Sequence, residues 1–135
     1  MSLYGDESWE ATGAITAKGI VGGVHNSRNR VGKHVLIWDE PDLGLSDSYC
    51  AGAGEYIRDF MEDPPEKLQF AMVIAHSRYL VNPLVSLKPH HIHFGPKNTN
   101  LGEWLERDID PLPIEELKKI GIERFRKVCS AMKGD

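Results

Sequence analysis

The sequence predicts an α/β layer fold with a mainly parallel sheet, and three observations carry that expectation. Two continuous apolar runs of strand length, HVLIWDE (34–40) and LQFAMVIAH (68–76), each follow a stretch with helical periodicity. Strands that alternate with helices assemble into parallel sheets with helical layers. Neither run shows the apolar–polar alternation of a half-exposed strand, so both read as strands buried on two faces. The length, 135 residues, suits a single domain able to bury a core.

The elements follow in chain order. Residues 1–12, MSLYGDESWEAT, are polar with scattered aromatics and read as a lead-in. From Gly13 to about Arg30, Ile15, Ala17, Ile20, Val21 and Val24 form a helical apolar stripe. Gly19, Gly22 and Gly23 each cost that helix about 1 kcal/mol relative to alanine, unless small residues are needed for close packing. After the first strand and Pro41 comes a loop to Ser46, an N-cap residue type. The next helix carries Tyr49, Ala53, Tyr56, Ile57 and Phe60 at helical spacing. DPPEK ends it. Beyond the second strand, SRYLVNPLVSL reads as short helical or irregular structure, and HHIHFG (90–95) as a third, edge-type strand. A turn over GPKNTN precedes a C-terminal helical extension (96–135). There Ile114, Leu117, Phe125, Val128 and Met132 lie near one face, and Pro113 is placed for a helix start.

The formal net charge of −4 gives no sign of a general nucleic-acid binder, and nucleic acid stays an open partner without support from composition. Arg28, Arg30 and Lys33 are placed to form a local basic patch. Two cysteines, Cys50 and Cys129, make neither a CxxC pair nor a disulfide framework, which suits a reducing, cytoplasmic compartment. No apolar run approaches the length of a membrane span, so membrane insertion is not expected.

In parallel sheets ligands sit beyond the carboxyl ends of the strands, and Asp39, Glu40 and His76 occupy those ends. Adjacent acids past a buried strand can divide the work of nucleotide hydrolysis. One stands near magnesium and the other orients the attacking water. A histidine at a neighbouring strand end can hydrogen-bond a terminal phosphate. The commoner fate of such an acidic pair is a solvated strand end, and the histidine gains weight only beside the pair. His91 and His93 have a spacing compatible with a metal site, but nothing nearby completes a ligand set.

VLIWDEPDLGLSD followed by AMVIAHS resembles, in order and spacing, the second half of an ABC-type ATPase domain, over roughly Thr12 to Gly95. The resemblance implies a partial P-loop NTPase-like fold. It casts Asp39 as the Walker B ligand of Mg2+, Glu40 as the residue that polarises water, and His76 as the switch histidine that senses the γ-phosphate of ATP. GLSD (44–47) matches the D-loop, with Asp47 facing a nucleotide shared with an opposite subunit. Thr12 and Gly13, with Ser8 a weaker candidate, fall where the family has its signature loop. The spacing within DEPDLGLSD leans towards RecF-like or SMC-like soluble relatives.

The chain contains no GxxxxGK[ST]. NRVGKH has a Gly-Lys, but lacks the earlier glycine and the Ser or Thr that ligates magnesium. The resemblance is therefore to a carboxyl-terminal half, in which neither ATP nor Mg2+ should bind tightly. Completion is expected from a Walker A-bearing partner chain or from the rest of a longer protein, and self-association through the D-loop face is a further contact. The alternative is a non-catalytic interaction module that keeps the half-fold. A metal enzyme built on HHIH ranks last.

Overall fold

A computed structural model describes residues 12–95 and 97–133. Most of the lead-in, including Ser8, lies outside the described residues. The chain divides into two compact units, one ending at Leu105 and one beginning at Glu106.

The first unit runs α1 (Thr12–Asn29), β1 (His34–Asp39), α2 (Asp47–Glu62), β2 (Leu68–Ile74) and α3 (Arg78–Val81), followed by a 3-10 segment (Asn82–Leu87) and α4 (Leu101–Glu106) at the boundary. β1 and β2 pair in parallel, with Val35 opposite Phe70, Ile37 opposite Met72 and Asp39 opposite Ile74. The sequence placed α1, β1, α2 and β2 closely, and gave no separate helix at α4.

The sheet has one dry face. Leu36, Trp38, Ala71 and Val73 point into a core with Ile20 and Val24 of α1, Cys50, Ile57 and Phe60 of α2, and Leu80 and Leu84 beyond β2. Trp38 meets Phe60 edge-on, with ring centroids 6.0 Å apart. Gly23 is what admits α1 to this face, because a Cβ there would lie 3.2 Å from Trp38 Nε1. Gly19 and Gly22 face open space and have no such packing reason. Ser27, buried at the end of α1, donates to His34 Nε2 at 2.7 Å, while His34 Nδ1 donates to the Gly32 carbonyl at 2.9 Å. Those two bonds fit one neutral tautomer and leave the buried hydroxyl satisfied.

Two expectations are corrected here. The strands are not buried on both faces: Val35, Ile37, Phe70, Met72 and Ile74 are exposed, Ile37 at 53 %. Their side chains share the face away from α1 and α2, since residues in register lie on the same side of a sheet. Nor is HHIHFG a strand. Residues 90–95 are irregular, and the described residues contain two strands. The chain enters this segment through Lys88 in the left-handed region (φ 53°), then Pro89. A period of two cannot by itself supply a pairing partner.

The second unit carries α5 (Ile114–Met132), entered at Pro113 as the sequence suggested. It has no buried residue, and its stripe of Leu117, Phe125 and Val128 is exposed.

Candidate functional site

The loop after β1 organises the carboxyl end of the sheet. The Glu40 N–H donates to the Ile74 carbonyl at 2.8 Å, which carries the parallel ladder one residue past β1. Glu40 then turns into the left-handed region, with φ 52°. The turn is closed by the Leu43 N–H to the Glu40 carbonyl (3.1 Å), and a second by the Leu45 N–H to the Asp42 carbonyl (3.2 Å). Gly44, at φ 73°, occupies the third place of that second turn, where a positive φ favours glycine.

This reversal brings Glu40 back over the end of β2. Its Oε1 lies 3.7 Å from His76 Nδ1, an ion pair when the imidazole is protonated. Both side chains are exposed, so the contact itself adds little stability. Asp39 is also exposed and shares the bare face of the sheet with Val35 and Ile37. Asp39, Glu40 and His76, the three residues expected at the strand ends, therefore lie at neighbouring ends of paired strands.

The other expected residues divide. Thr12 and Gly13 form the first turn of α1 and pack against the β1–α2 loop. A Cβ on Gly13 would lie 2.7 Å from the Gly44 carbonyl oxygen, and one on Gly44 would lie 2.9 Å from Thr12. One turn on, the Thr16 hydroxyl donates to the Leu43 carbonyl at 2.7 Å. The start of α1 thus touches the loop between β1 and α2. Asp47 is exposed at the start of α2, where its charge complements the helix dipole. It does not join the Glu40–His76 pair.

Sequence reasoning missed Asp42. Its Oδ2 accepts the backbone N–H groups of His76 at 2.7 Å and Ser77 at 2.6 Å. A short carboxylate in a loop is well suited to backbone donors. The sequence offers no sign that those donors lie 34 and 35 residues away.

The histidine-rich segment gives no metal cluster. The rings of His91 and His93 are 6.2 Å apart, and among the described residues no group of three or more His, Cys, Asp or Glu is placed to hold an ion. Of the basic cluster, Arg28 is committed to structure: its guanidinium lies 5.0 Å from the Phe60 ring centroid and donates to the Asp63 carbonyl at 3.4 Å. No helix among the described residues is long and apolar enough to cross a membrane.

Chemically, an exposed carboxylate beside an imidazole can take a proton from water while the imidazole binds an anionic oxygen. Asp39 is a single exposed carboxylate, and among the described residues no set of three or more metal-ligating groups forms around it.

No protein-family model, curated protein or solved structure matches this chain. Its site therefore rests on geometry.

The backbone at Glu40 adds a cost. A non-glycine residue in the left-handed region is held there at a cost of about 1–2 kcal/mol. Glu40→Gly is expected to raise stability by about 1 kcal/mol, because glycine adopts that φ freely and the lost ion pair is weak. Urea denaturation would check this, with Glu40→Ala, which keeps the strain, as the control that should show no gain.

Proposed function

We propose that this chain supplies the hydrolytic half of an ABC-type ATPase site, completed by a phosphate-binding loop on another chain or elsewhere in a longer protein. The observation that carries this reading is the convergence of Glu40 and His76 at neighbouring ends of two parallel strands, with Glu40 held in a strained backbone conformation. In this reading Glu40 takes the proton of the attacking water and His76 hydrogen-bonds the γ-phosphate. Asp39 would hold Mg2+ there, with the rest of the ligand set supplied by the completing half. Magnesium, when bound, would neutralise charge on the phosphates. The chain's own part is to orient water and sense phosphate.

The bare sheet face supports the need for a partner. Parallel strands are normally covered on both faces, and here Val35, Ile37, Phe70, Met72 and Ile74 are left to solvent. Asp39 shares that face, so an element covering it would arrive beside the proposed magnesium ligand. Docking and completion of the cation site would then be one event.

A second reading is favoured by the same face: a non-catalytic module that uses the half-sheet only for assembly. The two separate in one experiment. The tagged chain is recovered from lysate of its source organism with and without Mg-ATP, and co-purifying chains are identified by mass spectrometry. A stoichiometric partner carrying GxxxxGK[ST], enriched by Mg-ATP, is the expected result for the ATPase. A partner without that loop, bound equally with and without nucleotide, would overturn it in favour of the assembly module.

A further inference from the structure

We propose that Asp42 is a positioning residue for the Glu40–His76 pair: its carboxylate grips the backbone beneath His76 and sets the imidazole within reach of Glu40. The catalytic part of this inference rests on the ATPase reading above.

The need for such a grip comes from where the sheet ends. The last paired residues are Asp39 and Ile74, and the last ladder bond is the Glu40 N–H to the Ile74 carbonyl. Past that point no strand lies beside β2 among the described residues, and the N–H groups of His76 and Ser77 have no ladder acceptor there. Ser77 stands at the N-cap of α3 in an extended conformation, yet its own side chain makes no capping bond. Asp42 does this work from the other loop. One carboxylate oxygen takes both N–H groups at 2.7 and 2.6 Å, lengths typical of strong, charge-assisted bonds.

The gripping residue is itself held. Pro41 before it is buried, and the two turns closed on Glu40 and Asp42 fix the backbone on either side. Glu40 and Asp42 thus belong to one hydrogen-bonded turn, with the first meeting the His76 ring and the second its backbone. Movement of either strand end would have to carry both groups together. This coupling distinguishes Asp42 from an ordinary helix cap, whose loss would loosen α3 without altering the Glu40–His76 geometry.

Two variants of the full chain test it, Asp42→Ala and Asp42→Asn. Asparagine keeps an acceptor oxygen while losing the charge, and serves as the conservative variant if alanine impairs folding. The first measurement is amide hydrogen exchange by NMR on the chain itself. Asp42→Ala should speed exchange at His76 and Ser77 about tenfold or more, as loss of charge-assisted bonds requires, and Asp42→Asn should restore most of the protection. The second is steady-state ATP hydrolysis with Mg2+ in the partner-completed assembly. There kcat should fall about tenfold in Asp42→Ala with KM for ATP unchanged, as for an interaction made in the transition state, and should recover in Asp42→Asn. Unchanged exchange at both amides in Asp42→Ala would overturn the grip. Faster exchange with an unaltered kcat would overturn the positioning role while leaving the ATPase reading intact. A wild-type assembly that binds its partner but hydrolyses no ATP would instead overturn that reading, and with it the catalytic part of the proposal, whatever the amides do.

Discussion

Gly54→Ala should cost the first unit about 3 kcal/mol or more of its stability. Gly54 lies in α2 where that helix meets α3 and the 3-10 segment. A methyl group there would overlap the Leu80 carbonyl oxygen, with the Leu80 carbonyl carbon at 3.0 Å and Pro83 Cγ at 3.1 Å. The first two obstacles are backbone atoms, which cannot rotate aside as a long side chain can. Relief requires α3 to move away from α2. That movement would draw Leu80, fully buried, and Leu84 away from the core cluster they share with Ile57 and Phe60. Overpacking of a fitted core typically costs 1–3 kcal/mol, and a backbone clash belongs at or above the top of that range, so a loss of about 3 kcal/mol or more is expected. Ordinary domains have a margin of only about 5–15 kcal/mol, and a sheet with one face uncovered starts from less burial than most. Gly52 gives the internal control. It lies in the same helix, a Cβ there meets nothing within 4 Å, and Gly52→Ala should stabilise by about 0.5–1 kcal/mol through helix propensity. Urea denaturation followed by circular dichroism compares the two. Equal stability of the two variants would refute the close approach of α2 to α3.

That close approach could not be read from the sequence, and the reason applies more widely. Helical and strand periodicity record which faces are built for burial, so α1, α2, β1 and β2 were all legible, and so was the placement of Asp39, Glu40 and His76 at strand ends. The same periodicity does not say what does the burying. Val35, Ile37, Phe70 and Met72 carry the composition of a fully covered strand, yet they face solvent here. The pattern specifies a contact, and the contact is absent from the described residues. Conversely, the alternation in HHIHFG satisfied a strand pattern without an available ladder. Gly19, Gly22 and Gly23 look alike in sequence, although of these three Gly23 alone sits against a core side chain. Asp42 escaped notice because its partners are backbone atoms of a distant loop, and backbone donors leave no residue-type signature. The left-handed conformation of Glu40 escaped for a related reason: a glutamate has no propensity for it, and the ladder bond before it and the turn after it impose it together.

Glu40→Gln should abolish hydrolysis by the completed assembly while leaving nucleotide bound. Gln has nearly the shape of Glu but cannot accept the proton of the attacking water, and loss of a positioned general base typically costs about 10²–10⁴ in rate. The substitution is a clean test because the contributions of Glu40 to the fold are made by its backbone. The N–H bond to Ile74 and the carbonyl bond from Leu43 both survive the change, and the strain at φ 52° is common to both residues. Stability should therefore stay within about 0.5 kcal/mol of wild type, the usual range for an exposed substitution. Steady-state phosphate release with Mg-ATP measures the first quantity, binding of a fluorescent ATP analogue the second, and urea denaturation the third. Turnover retained in the Gln variant would remove Glu40 from its role, and nucleotide lost together with turnover would make it a binding group instead. Set beside Glu40→Gly, the result gains a further meaning. If glycine stabilises the chain while glutamine silences it without destabilising it, then the glutamate at position 40 costs the fold stability and serves the chemistry. A strained residue is kept only where something other than stability requires it.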